Sequence, residues 1–261
     1  MDGFNDLMAE FGKILGIEGF APDAEGVCIL QSEEAEIRII HCPEADDTLL
    51  LSAVVMSLPK DGGRSLLAAL GANHRFLATG GATASMDPES EELVLSQYLP
   101  LAVLAPRSLV ALVEKFSSAL IALRSLGAGD QTPPDVETDG LSVLADTVEI
   151  DGVSIELGEG DEGQVLAVAD LGEAPDALVV ARDMMVANHL FCGTAGATLS
   201  LDAATGHVFL QQNLYPVDEE DWLARRLAVF ADKAGEWRGR ISGQGAPQGD
   251  RLPFSGNYMP V

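Results

Sequence analysis

Across 261 residues the chain carries 41 acidic and 15 basic side chains, a net charge of −26, with 47% hydrophobic but only 5% aromatic residues. Such a surface repels phosphate, which argues against nucleic-acid binding, because that affinity comes mainly from Lys and Arg displacing counterions. Anionic membranes are disfavoured for the same reason, and the hydrophobic content suffices for two aliphatic cores of ordinary domain size.

In chain order, Phe4, Leu7, Met8, Phe11 and Leu15 recur at helical spacing, so residues 4–16 are expected to form an amphipathic helix with Gly16 as its stop. Three strand-like runs follow at 26–31, 36–42 and 48–57, separated by Glu-, Asp- and Pro-rich loops, as in a meander. After the breakers Pro59, Gly62 and Gly63, Leu66, Leu67 and Leu70 mark a short helix. A hairpin comes next, 82–86 and 93–99, turning at Asp87-Pro88-Glu89-Ser90. Pro106 fits the first turn of a last helix, which carries Leu109, Leu112, Val113, Phe116, Leu120 and Leu123 on one face and ends at Gly127.

Much of this order then returns. The passage ANHRFLATGGATASMDPESEELVLSQYL, from Ala72, reappears from Ala187 as ANHLFCGTAGATLSLDAATGHVFLQQNL, with 13 identities in 28 positions and no gap. Internal duplication at a 115-residue offset follows. In the second copy, 148–150, 153–157 and 164–171 read as strands, 176–188 as the short helix, and 198–201 with 208–214 as the hairpin. Asp218 is a candidate N-cap for a helix whose apolar face is Trp222, Leu223, Leu227, Phe230, Ala234 and Trp237. The opening helix has no clear counterpart, since LSVLAD at 141–146 is too short for four turns. The expected organisation is an α+β protein: a first repeat over 1–127 in the order α-β-β-β-α-β-β-α, a linker over 128–140, a second repeat over 141–241 without the first helix, and a Gly/Pro-rich tail over 242–261. Within the tail, Leu252, Phe254, Tyr258 and Met259 are the candidate anchors, holding residues 250–261 in an apolar groove.

No catalytic constellation emerges. Cys28, Cys42 and Cys192 are too few and too odd in number for a disulfide framework, and their apolar settings read as buried small hydrophobes. His74 and His189 occupy equivalent positions at the end of the short helix, where capping carbonyls is the expected role; a metal site bridging the repeats competes, but no HxxxH or CxxC supports it. The Gly-rich ATGGATAS follows a helix and lacks the Lys of a phosphate-binding loop. No catalytic, cofactor-binding or metal-binding residue is therefore expected. The acidic N-terminus lacks the pattern of a signal peptide, and no apolar run is long enough to span a bilayer, so a cytoplasmic location is expected.

Asn73-His74-Arg75-Phe76, then Gly81 through Ser90, then Leu93 through Leu101 in LVLSQYLPL, resemble the Tir chaperone (CesT) family, the class I chaperones of type III secretion. The resemblance covers residues 4–126 in full order and 148–240 more loosely. It implies a non-catalytic protein that binds a secreted effector or translocator as a largely unfolded segment, by strand addition and apolar grooves. Members usually act as homodimers of one domain per chain; two fused copies imply an intramolecular pseudo-dimer, with the short helices 64–73 and 176–188 at its centre. On that basis Leu66, Leu67 and Leu70, with Leu178, Val179 and Met185, are the expected contact between repeats. Leu7, Phe11, Val27, Ile29, Ile37 and Ile39, with Ile155, Val165 and Val168 in the second repeat, are the candidate client-binding residues. A regulatory partner-binding role on the same fold, and a chaperone occluded by its own tail, remain as alternatives.

Overall fold

The computed structural model describes residues 2–31, 35–44, 47–59, 62–127, 144–159, 164–216 and 220–243. In chain order the first repeat contains α1 (Asp2–Leu15), β1 (Val27–Gln31), β2 (Glu36–Cys42), β3 (Thr48–Ser57), α2 (Gly63–Asn73), β4 (Thr83–Met86), β5 (Glu92–Pro100) and α3 (Pro106–Gly127). The second contains β6 (Leu144–Ile150), β7 (Val153–Glu159), β8 (Val165–Glu173), α4 (Ala177–Asn188), β9 (Thr198–Leu201), β10 (His207–Leu214) and α5 (Trp222–Ile241). This is the α+β order expected from the sequence. Leu144, Ala145 and Asp146 belong to strand β6, so part of LSVLAD is a strand. The proposed linker, the proposed tail from residue 244 on, with Leu252, Phe254, Tyr258 and Met259, and the proposed cap Asp218 lie outside the described residues. The last helix starts at Trp222, after Asp221 in the left-handed region at φ 61°, with no side-chain cap there.

Each repeat forms one antiparallel five-stranded sheet, in the orders β1-β2-β3-β5-β4 and β6-β7-β8-β10-β9. The two orders superpose strand for strand. One face of the first sheet, with Cys28, Ile37, Ile39, Leu49, Leu51, Ala53, Leu95 and Leu99, is buried with the apolar faces of α1 and α3. Phe4, Met8 and Phe11 from α1 and Phe116 and Leu120 from α3 are 0–2% exposed. In the second repeat α5 packs on β7, β8 and β10 and buries Phe230 and Trp237; the Trp237 indole donates to the Gly193 carbonyl at 3.1 Å. Core residues from both repeats join in one continuous apolar cluster. That continuity is what fixes the relation of the two sheets.

The contact between the repeats and the surfaces it leaves open

The duplicated passage builds the contact between the repeats. Its Asn is fully buried in both copies. The Asn73 amide donates to the Ala84 carbonyl at 2.9 Å and its Oδ1 accepts from the Ala84 N–H at 2.7 Å. Asn188 makes the same two bonds to Leu199, at 2.9 and 2.8 Å. Each Asn therefore ties the end of a short helix to the edge strand of its own sheet. A buried backbone edge left without such partners would cost about 1–3 kcal/mol per group. The Asn73 amide also reaches the Leu199 carbonyl of the other repeat at 3.4 Å.

Edge strands β4 and β9 face the opposite repeat: α4 packs on β4 and α2 packs on β9, while α2 and α4 pack on each other. Thr83 Oγ1 and Thr198 Oγ1, the same position in the two copies, share a hydrogen bond of 2.6 Å. Every residue of β4 and β9 is buried.

Beyond each helix the chain makes a one-turn 3-10 helix, His74–Phe76 and His189–Phe191. Its last two residues hold left-handed φ: Arg75 at 51°, Phe76 at 57°, Leu190 at 47° and Phe191 at 55°. Non-glycine residues rarely accept this, at a cost on the order of 1 kcal/mol each. The twist aims each aromatic ring at the other repeat. Phe76 packs with Leu166, Val168 and Phe209 of the second sheet. Phe191 meets Tyr98 of the first edge-on, centroids 5.3 Å apart.

His74 and His189 are the helix C-caps, as their position predicted, with backbone N–H groups donating to Gly71 and Val186 carbonyls. Their rings do more. The His74 ring lies 4.9 Å from that of Phe209. Burial holds both imidazoles below the ordinary histidine range; Asp202 pulls His74 back up while Arg75 lowers it further, and Asp87 and Glu89 pull up His189. Both Nδ1 atoms are buried without a hydrogen-bond partner. Asp202 and Asp87 are themselves a repeat pair, in the hairpin turns. Asp202 is held low by the Thr205 hydroxyl and the Ala204 N–H; for Asp87, burial pushes the carboxyl up but bonds from the Glu89 N–H and the Ser90 hydroxyl outweigh it.

Of the expected contact residues, Leu66, Leu70 and Met185 are buried, and Leu67 is half-buried. Val179 is corrected: it is 64% exposed, on the outward side of the first turn of α4, and Leu178 is 56% exposed. Leu178 still reaches the other repeat, since a Cβ built on Gly63 would lie 3.1 Å from its Cδ2.

The candidate client residues divide. Leu7, Phe11, Ile37, Ile39, Ile155 and Val168 are core, between 0 and 7% exposed; alternation along β2 turns Ile37 and Ile39 under the helices rather than outward, and Phe76 covers Val168. Val27 and Val165 are half-buried, and Ile29 stands out at 50%. Val54, not anticipated, is 43% exposed. It shares a sheet face with Ile29, through the register Ile29–Arg38–Ser52 and the period of two along β3. Sequence alternation could have found Val54, but the run LLLSAVVM is apolar on both faces.

Cysteine burial is graded: Cys28 is buried, its thiol pushed up to about 11 by burial and Asp23, Cys42 is intermediate, and Cys192 is exposed, contrary to the expectation of a buried hydrophobe, because it follows the 3-10 turn at the surface. Among the described residues no group of three or more His, Cys, Asp or Glu is placed to hold a metal ion, and no helix is long and apolar enough to cross a membrane.

The model of the Tir chaperone protein (CesT) family matches this chain twice, over residues 6–124 and 125–238. The chain belongs to that family. Similar solved structures include the HopA1–SchA chaperone–effector complex, at 20% identity and TM-score 0.40, covering 47% of this chain and 94% of that one. The ExsC–ExsE complex matches at 22% and 0.40, covering 48% and 93%. The Yersinia pestis type III secretion chaperone SycH, in complex with a fragment of YscM2, matches at 12% and 0.35, covering 46% and 98%. No curated protein matches the chain in sequence. Each solved chain is thus covered almost whole by about half of this tandem CesT protein.

Proposed function

We propose that this CesT-family chain is a non-catalytic, cytoplasmic type III secretion chaperone that holds a secreted effector or translocator partly unfolded and competent for export. Its two repeats, with boundaries at 1–127 and 141–241, act as an intramolecular pseudo-dimer. The observation that carries the reading is the double family match laid over two sheets whose edges β4 and β9 face each other. The opposite edges, β1 and β6, are then the ones open to strand addition, by which an extended client gains main-chain hydrogen bonds and places alternate side chains in apolar sites. The half-exposed Ile29 in the middle of β1, with Val54 on the same face, suits such a segment. Val27 lies on the same edge strand and Val165 opens the inner strand β8 of the second sheet, while Leu7, Phe11, Ile37, Ile39, Ile155 and Val168 support these sites from the core. The strong negative charge keeps such a holder soluble.

The test is co-expression with a protein exported by a type III apparatus, followed by hydrogen exchange on the purified complex. Protection is expected in β1 or β6, with the bound client lacking near-ultraviolet dichroism. Ile29→Asp should weaken binding by roughly tenfold or more, as loss of an apolar anchor does. A client that binds fully folded, or protects neither edge, contradicts the reading.

A further inference from the structure

The two copies have kept the same backbone at their contact but not all of the same side chains, and the differences fit in pairs. Arg75 stands where the second repeat has Leu190. Its guanidinium lies 3.7 Å from Glu156. The strand register identifies the first-repeat counterpart of Glu156: Glu156 pairs with Val168, which pairs with Gln211, and the matching row runs Arg38, Ser52, Ser96. Arg38 therefore occupies the place of Glu156. If a first repeat packed on another first repeat, Arg75 would face Arg38 twice over.

Gln211 stands where the first repeat has Ser96. Its amide donates to the Asn73 carbonyl at 2.5 Å, and its Oε1 accepts from the Arg75 N–H at 2.7 Å, so it secures the strained turn of the opposite repeat. The Ser96 hydroxyl is too short for that role and is buried without a partner. Gly63 and Leu178 are also equivalent positions, and they touch: the small residue makes room for the large one. Two first repeats would leave a gap there, and two second repeats would set Leu178 against Leu178. At the rim, Arg182 pairs with Glu91 at 2.9 Å, where the equivalents are Leu67 and Gly206.

We propose that this contact is selective for unlike repeats: the surface of the first repeat fits the second repeat and rejects a second copy of itself. Complementary charge, size and hydrogen bonding favour the unlike pair, and the Arg75–Arg38 approach and the unanswered Arg75 N–H act against the like pair. Such selectivity keeps the fused chain closed on itself, since neighbouring chains offer the same unlike surface only when already occupied. The inference rests on the pseudo-dimer reading above.

The test uses the full chain with a protease site inserted between residues 127 and 144. After cleavage and dilution, native mass spectrometry weighs the pairs. Unlike pairs are expected, with like pairs below roughly a tenth of the total. A second chain carrying Arg75→Glu and Glu156→Arg is cleaved alongside; it should pair with itself, while its first repeat is expected to pair poorly with an unaltered second repeat, where two carboxylates would face each other. Like pairs in quantity overturn the selectivity but leave the pseudo-dimer standing. Halves that separate as monomers overturn both.

Discussion

The two repeats agree at their inner edges and differ at their outer ones. At the inner edge, Asn73 and Asn188 make the same two bonds, Thr83 and Thr198 meet, and both 3-10 turns hold left-handed residues. At the outer side the first sheet has α1 with Phe4, Met8 and Phe11 packed on it, whereas the described part of the second begins at β6 and relies on α5 with its two tryptophans. The open face differs as well. The first presents Ile29, Arg38 and Val54, and the corresponding row of the second presents Thr147, Glu156 and Asp170. A repeat that must pair is constrained where it pairs and is free to diverge elsewhere. The duplication therefore keeps the backbone of the joint and varies the outer faces of the sheets.

The largest effect should come from breaking what both repeats share. Met185→Asp places an unpaired charge in the fully buried joint and should cost about 3–5 kcal/mol, read as a collapse of the urea midpoint for the whole chain. Phe11→Ala removes a fully buried ring present only in the first repeat and should cost about 3–5 kcal/mol. Hydrogen exchange should assign its loosening to α1, α3 and β1–β3, leaving β6–β8 unchanged; equal loosening in both repeats would erase the proposed division.

The joint was partly legible in the sequence. Apolar periodicity, the Gly and Pro breakers and the Asp-headed hairpin turn placed every helix and strand of the first repeat to within a few residues. What the sequence did not show was which strand edge faces the other repeat, because β4 and β9 pair on one side only through contacts 115 residues away. Nor did it separate core from surface in β2, where Ile37, Ile39 and Ile40 are apolar on both faces. Val179 reads as interface because helix periodicity is blurred in ALVV, where four apolar residues run together.

Smaller effects sharpen the comparison between the two Asn clamps. Asn73→Ala takes the side-chain partner from the buried Ala84 N–H and carbonyl, and Asn188→Ala takes it from the Leu199 N–H, whose carbonyl keeps Asn73; each should cost about 1–3 kcal/mol, with Asn73 the larger. Equal losses would show that the bond across the joint adds nothing.

The histidines give a pH signature of the joint. Burial lowers both relative to the unfolded chain, so their neutral forms contribute full stability above about pH 6.5, and that contribution is lost as pH falls through the depressed folded values. The groups facing them are Asp202 and Arg75 for His74, and Asp87 and Glu89 for His189. The urea midpoint should drop between about pH 7 and 5, and His74→Gln with His189→Gln should flatten that slope. Loss confined below about pH 4 would instead point to Asp87 and Asp202, whose lowered values act there. Smallest of all, Arg182→Ala breaks an exposed pair and should cost under about 1 kcal/mol.

The most direct measurement of the joint is a disulfide at Thr83 and Thr198, whose hydroxyl oxygens lie 2.6 Å apart. In a chain with Cys28, Cys42 and Cys192 replaced by Ala, Thr83→Cys and Thr198→Cys should oxidise to one bond within a single chain, since a disulfide needs its Cβ atoms only about 4 Å apart. Free thiols that persist under oxidant, or bonds formed only between chains, would contradict the account.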